Sequence, residues 1–294
     1  MTLAAAILSL AACSPKPVEP APIRNPSGLP SDAYAPRGWT WSPIPNERVT
    51  RRYGVGSPPR VVRAEVLILP ERAPAEAWFP VVNALTARGY TVWLADPQPA
   101  PLPASAARRM VQDVIRGGSS GRLMVLGEGR GAVSALAAAS AARAVVLWSP
   151  VVGSPPVEVP AWEDRVIRAL HLGQFAVLNQ KGWREGDPRG DALAQAWMRA
   201  NPTLRPRTPT YSSLYEYRAD MALAAQRAGA LKGVPVRTTS GDAAANALCA
   251  ASADCRPLAP GVAAAIAVFD KATEEVTLGA PPPLVGKKRP APAA

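Results

Sequence analysis

Apolar and polar residues in the middle of the chain follow two alternating periods, which predict strands and helices in turn. Four short apolar runs are typical of buried strands: residues 61–70, 90–96, 122–127 and 144–150. Residues 75–89 and 105–118 instead repeat their apolar positions at helical spacing and end at glycine, a common helix stop. This alternation predicts an α/β fold with a mostly parallel sheet and right-handed crossovers.

A glycine-rich turn follows the third predicted strand. Residues 122–136 read RLMVLGEGRGAVSAL, so Gly127, Gly129 and Gly131 stand between an apolar run and a small-residue helix. This pattern is typical of a strand–turn–helix elbow, which in hydrolases carries a nucleophile at its middle position. A dinucleotide-binding turn is the weaker interpretation. Ala132 stands where G-x-G-x-x-G has its third glycine, and the turn follows the third strand rather than the first.

The order of these segments resembles the α/β-hydrolase family over about residues 61–279. The resemblance implies a mostly parallel sheet flanked by helices, with a helical cap inserted at about residues 151–227. It also implies a late strand within residues 231–242 that leads to a catalytic acid. A last strand within residues 274–283 would then lead to a catalytic histidine.

Each catalytic position of that family is occupied by an unsuitable residue. Gly129 has no side chain at the elbow, and Ala280 or a neighbouring proline follows the predicted last strand. The acid position falls on Ala244, and Asp242 beside it is predicted to cap a turn. Pro70 begins the loop that would stabilise an oxyanion, and proline has no N–H to donate. The resemblance therefore predicts a degenerate member without catalytic residues.

An alternative stays open, namely an active esterase- or lipase-like serine hydrolase with a displaced nucleophile. Its candidate nucleophiles are Ser134, on the helix after the elbow, and Ser149, at the end of a strand, with Asp242 as a weak candidate acid. The only histidine of the chain, His171, lies in the predicted cap.

The first residues of the chain predict a targeting signal. Residues 1–13 are a short apolar segment ending in Leu-Ala-Ala-Cys, which resembles a lipoprotein signal peptide whose Cys13 is acylated. This predicts a lipid-anchored protein of the bacterial cell envelope, on the outer membrane facing the periplasm. Residues 14–59 are predicted to be a proline-rich linker, residues 60–280 the domain, and residues 281–294 a proline-rich basic tail.

The cysteines and the net charge limit the kinds of site and partner that the sequence predicts. Cys249 and Cys255 are predicted to form a disulfide in an exported protein. No metal site and no cofactor are predicted, because the single histidine is far from these thiols in sequence. The net charge is +11, but the basic residues are scattered, so nucleic acid is not a predicted partner.

These observations together predict a lipid-anchored envelope protein with a catalytically dead domain, used for binding or as a scaffold or assembly factor. Its predicted partners are the membrane, reached through the anchor, and an envelope protein, a lipid or a glycan. Aromatic residues of the cap either line a ligand groove or pack against the sheet: Trp162, Trp183, Trp197, Tyr211, Tyr215 and Tyr217.

Overall fold

A computed structural model of the chain describes residues 23–44, 51–58, 62–98, 102–116, 122–178, 191–228, 233–252 and 254–278. The strands are β1 (Thr40–Pro43), β2 (Arg52–Gly56), β3 (Ala64–Leu69), β4 (Tyr90–Ala95), β5 (Leu123–Glu128), β6 (Ala144–Trp148), β7 (Val236–Thr238) and β8 (Cys255–Pro257). They form one sheet of eight strands in the order β1-β2-β4-β3-β5-β6-β7-β8. Among the strands of the described residues, only β2 runs antiparallel to its neighbours, and β4, β3, β5, β6, β7 and β8 run parallel to one another.

The helices of the described residues are α1 (Phe79–Ala87), α2 (Ala104–Arg116), α3 (Gly131–Ala138), α4 (Ala161–Ala169), α5 (Ala192–Ala200), α6 (Tyr211–Ala228), α7 (Ala243–Ala250) and α8 (Val262–Leu278). Helices α2, α3 and α6 contribute to the apolar cluster on one face of the sheet, and α1 and α8 to the cluster on the other. Among the described residues, no helix has the length and apolar character that a membrane crossing requires.

The central sheet confirms the predicted fold class, a mostly parallel sheet flanked by helices. Every residue of β3 is buried, and β5 and β6 are buried except at their carboxyl ends. These strands are covered on both faces, which is why they appear in the sequence as continuous apolar runs.

The predicted linker is wrong in its second half. Residues 40–43 and 52–56 form β1 and β2, which pair antiparallel with each other and extend the sheet beside β4. Trp39 stacks edge-to-face against Phe79 with ring centroids 5.4 Å apart, so apolar contacts hold this segment on the domain. Residues 1–22, with Cys13 and the predicted signal peptide, lie outside the described residues, as do residues 279–294.

The predicted last strand is also wrong. Residues 274–278 belong to α8, whose Phe269 and Ile266 pack under the sheet at helical spacing. The last strand is instead β8, which begins at Cys255 and is only three residues long. In the structure, a disulfide joins Cys255 to Cys249 on α7.

The predicted cap region divides into two parts. Helix α4 and the loop after it build a small separate cluster with Ile167 and Val177. Helix α6 belongs in part to the main core, because Tyr217 and Ala224 pack against the sheet layer. Of the cap aromatics, Trp197, Tyr211 and Tyr217 are buried and Trp162 is exposed, whereas Trp183 lies outside the described residues.

Candidate functional site

The elbow predicted from the sequence is present at the carboxyl end of β5. Gly129 has a φ of 57°, in the left-handed region that favours glycine. Its N–H donates to the carbonyl of Trp148 at 3.0 Å, and its carbonyl accepts from Val151 at 2.9 Å. The ends of β5 and β6 are therefore joined by backbone hydrogen bonds, and α3 begins directly after the turn.

The two outer glycines allow a close approach of α3 to the sheet. A Cβ built on Gly127 would lie 2.6 Å from the Cβ of Ala135, and one on Gly131 would overlap the carbonyl oxygen of Leu69. Gly131 is thus required by backbone packing, independently of any chemistry at the turn.

The side chain of Glu71 fills the space that a nucleophile would occupy. A Cβ built on Gly129 would collide with the carboxylate of Glu71, which reaches over from the loop after β3. Glu71 Oε2 accepts a hydrogen bond from the backbone N–H of Arg130 at 2.9 Å, and its other oxygen pairs with the Arg130 guanidinium. That N–H is the donor that an elbow offers to an oxyanion, so it is already occupied.

A second carboxylate, that of Glu128 at the end of β5, binds the loop after β3. Glu128 Oε2 accepts from the backbone N–H of Glu71 at 2.7 Å and of Arg72 at 2.9 Å. Burial raises the pKa of Glu128, although these two hydrogen bonds oppose the shift. Pro70 has no N–H group, so the donors that this loop offers to Glu128 are the backbone N–H groups of Glu71 and Arg72.

Asp242 follows β7 and caps a helix, where the sequence predicted that it caps a turn. Its Oδ1 accepts from the N–H of Ala245 at 2.8 Å at the start of α7. Its Oδ2 accepts from Val152 at 3.0 Å and from Gly153 at 2.8 Å, on the turn after β6. Asp242 therefore ties the end of β6 to the end of β7.

The loop after β8 contains no histidine. Residues 258–261, which lead into α8, are Leu, Ala, Pro and Gly. Ala280, where the sequence predicted the family's histidine position, lies outside the described residues.

His171 has a structural explanation. It is exposed and has a φ of 54°, and it follows the last turn of α4. Its N–H donates to Arg168 at 3.3 Å, and that of Leu172 donates to Ile167 at 3.0 Å. Leu172 and Ile167 also share an apolar cluster. These are the bonds and the contact of a Schellman helix end, which places its penultimate residue in the left-handed region.

The two candidate serines differ in access. Ser134 is buried on α3 and its hydroxyl donates to the carbonyl of Leu102, which excludes it as an accessible nucleophile. Ser149 is exposed at the carboxyl end of β6 and has a φ of 44°. Its N–H donates to Thr239 Oγ1 at 2.6 Å. A serine in the left-handed region is uncommon, and no helix end accounts for this one.

Sequence reasoning missed the role of two residues beside these strand ends, Glu71 and Thr239, and it named Tyr217 only among the cap aromatics. Tyr217 of α6 donates from its hydroxyl to the carbonyl of Val151 at 3.3 Å. Burial raises the pKa of Tyr217, so its phenol stays neutral beside the charged groups. Within the ranges that the structure describes, no three side chains of His, Cys, Asp or Glu come together as metal ligands.

No protein-family model matches the chain, and no curated protein matches it by sequence. Solved structures do match. A monoacylglycerol lipase of Paleococcus ferrophilus has a TM-score of 0.55 at 12% identity, over 77% of this chain and 99% of that one. A carboxyl esterase of Bacillus coagulans has a TM-score of 0.55 at 14% identity, over 81% and 98%. The thioesterase domain of the curacin biosynthetic pathway has a TM-score of 0.53 at 13% identity, over 82% and 99%.

These matches correct the predicted function. The sequence predicted a catalytically dead, lipid-anchored binding or scaffold protein, whereas the similar structures are a lipase, an esterase and a thioesterase. At 12–14% identity the matches show the fold and give no support to a catalytically dead member of it. The prediction rested on the side chains at the elbow and at the family's acid and histidine positions, and it left a displaced nucleophile, Ser134 or Ser149, as the alternative.

Proposed function

From the premise that the chain has the α/β-hydrolase fold, we propose that it hydrolyses an acyl ester or thioester with Ser149 as the nucleophile. The observation that carries this proposal is the conformation of Ser149. A non-glycine residue with a φ of 44° is strained by about 1–3 kcal/mol. Such strain is concentrated at functional sites, and Ser149 stands at the carboxyl end of a central parallel strand.

Ser149 also lies next to the elbow. The carbonyl of Trp148 accepts from Gly129, and Val151 donates back to Gly129 at 2.9 Å, so hydrogen bonds flank Ser149 on both sides in sequence. A hydroxyl at this corner replaces the one that the elbow lacks by moving the nucleophile one strand along the sheet.

The reaction has two halves. In the first, Ser149 Oγ attacks the acyl carbon, its proton passes to a carboxylate, and the alcohol or thiol leaves with that proton. In the second, water attacks the acyl-enzyme, and the acid is released as Ser149 regains its proton. We propose Asp242 as the proton acceptor, since its Oδ2 already binds the turn that follows Ser149.

Substrate would also use the elbow's backbone donor. The N–H of Arg130 is held by Glu71, a flexible side chain that is partly exposed. A substrate oxygen that displaces the Glu71 carboxylate would gain this hydrogen bond. The site therefore accepts an acyl oxygen at the cost of opening the Glu71–Arg130 pair.

Turnover of short acyl esters and thioesters by the purified chain tests the proposal. Ser149→Gly removes the hydroxyl and suits the left-handed backbone, so the variant is expected to fold. Its rate should fall by about a thousandfold or more, because loss of a nucleophile has effects of this order. Ser240→Ala, an exposed serine on the neighbouring turn after β7, should keep full activity. Equal rates in the wild type and Ser149→Gly, or no turnover above a blank, would contradict the proposal.

The envelope location and the acylation of Cys13 remain proposals from the sequence. They are supported by the Leu-Ala-Ala-Cys pattern, and Cys13 lies outside the described residues. A membrane-fraction mass spectrum with residues 1–12 still attached would contradict them.

A further inference from the structure

Large apolar side chains lie exposed along one segment of the cap. The exposed fraction is 63% for Trp162 and 62% for Leu170, and Val166 between them is also exposed. We call these three residues the cap row. Phe175 and Leu178, a few residues further along the chain, are exposed as well. Contiguous apolar exposure of this kind is typical of a surface that binds another surface.

The cap row occupies one side of α4 and of the residue that ends it. Its members are four residues apart, so each is turned by about 40° from the last and the three share one face of the helix. The buried residues of α4, Glu163 and Ile167, lie on the adjoining face. The cap row is therefore beside the face that packs on the protein and is not part of it.

Arginines border the cap row on its other side. At about 100° per residue, Arg165 projects from the edge of α4 opposite to the buried face. Arg168 is exposed on the adjoining side, where it pairs with Asp164 at 2.8 Å and lies over the ring of Tyr215, 4.1 Å from its centroid. Around the helix the order is thus a packed face, an apolar face and a basic edge. This order is typical of helices that lie in the interface of a membrane.

We propose that this face of α4 docks on an anionic lipid surface. The cap row would enter the boundary between headgroups and acyl chains, where tryptophan is favoured, and the arginines would meet the phosphates. Charge selects lipid over a second copy of the chain. Two copies of the chain would bring the same arginines together, and each copy carries a net charge of +11, so they repel each other. An anionic lipid surface attracts the arginines and the net positive charge alike.

This proposal goes beyond the hydrolytic function and does not depend on it, because lipid binding can be measured without turnover. The full-length chain is used with Cys13→Ser in every variant, so that an acyl anchor cannot hold the protein on the vesicles. The probes are sedimenting vesicles of phosphatidylglycerol and phosphatidylcholine in equal parts, and of phosphatidylcholine alone.

Binding to the anionic vesicles is expected, with weaker binding to phosphatidylcholine alone. Trp162→Ser with Leu170→Ser should lower partitioning by about tenfold or more, because both side chains lose their burial in lipid. Arg165→Gln should lower it by about fivefold on anionic vesicles only. Val62→Ser is the matched control, since Val62 is an exposed apolar residue outside the cap, and it should change nothing.

Three results would overturn the proposal. One is no binding to the anionic vesicles, and another is equal binding by the double variant. The third is a dimer in sedimentation velocity that the double variant dissociates, because this would assign the cap row to a second copy of the chain.

Discussion

The ends of β5 and β6 lie side by side, and each strand turns there through left-handed backbone. At the end of β5 the left-handed residue is Gly129, with a φ of 57° and no side chain to strain. At the end of β6 it is Ser149, an exposed residue with a φ of 44°. The turn that carries the family motif is relaxed and filled by Glu71, whereas its neighbour keeps a side chain despite the strain. Chemistry is therefore better sought at the second strand end.

His171 is the internal reference for this comparison. It is the other non-glycine residue among those described with a positive φ. The Schellman bonds at the end of α4 account for its conformation, whereas no such motif accounts for that of Ser149. A positive φ alone thus does not mark a site, and its surroundings decide what it means.

The largest effect on stability is expected at the elbow itself. Gly131→Ala would place a Cβ on the carbonyl oxygen of Leu69, a backbone atom that cannot move aside. The free energy of unfolding should fall by about 3 kcal/mol or more. Gly129→Ala meets only the movable Glu71 side chain and should cost less, about 1–2 kcal/mol for its left-handed backbone. Urea unfolding of both variants checks this, and equal losses would contradict it.

Substitution of Glu128 tests what holds the loop after β3 in place. Glu128→Ala leaves the N–H groups of Glu71 and Arg72 without their acceptor, which should cost about 2 kcal/mol. Glu128→Gln keeps an oxygen in place and should cost much less. A loss in Glu128→Gln as large as in Glu128→Ala would show that the charge, rather than the two hydrogen bonds, holds the loop.

Comparison of the wild type with Glu128→Gln also predicts how the free energy of unfolding changes with pH. Burial raises the pKa of Glu128 above the ordinary value of a glutamate. The folded protein therefore binds the proton more tightly than the unfolded chain, and this contribution to stability is lost as the pH rises through the folded pKa. The free energy of unfolding of the wild type, relative to Glu128→Gln, should fall as the pH rises from acid values toward neutrality. A relative rise would contradict the raised pKa.

The smallest expected effect is at His171. His171→Gly relieves the left-handed strain at the end of α4 and should raise the free energy of unfolding by about 1 kcal/mol. Turnover should not change, because His171 has a structural role in this account. A thermal melt with an ester assay checks both, and a loss of turnover would make His171 part of the site.

The central fold could be predicted because β3 to β6 are long apolar runs that alternate with helices. The short β8 could not, since Cys255–Pro257 is too brief to show a period. β1 was missed because its proline fits an edge strand as well as a linker. In the site, the cap role of Asp242 follows from local sequence. The contact of Glu71 with Arg130 does not, because it joins residues 59 apart.

Covalent labelling tests the central claim most directly. The purified chain is treated with a fluorophosphonate probe, and the modified residue is mapped by tandem mass spectrometry. The account predicts labelling of Ser149, competition by a short acyl ester, loss in Ser149→Gly and persistence in Ser240→Ala. Absence of labelling in the wild type, or a labelled serine other than Ser149, would contradict the claim that the nucleophile lies at the end of β6.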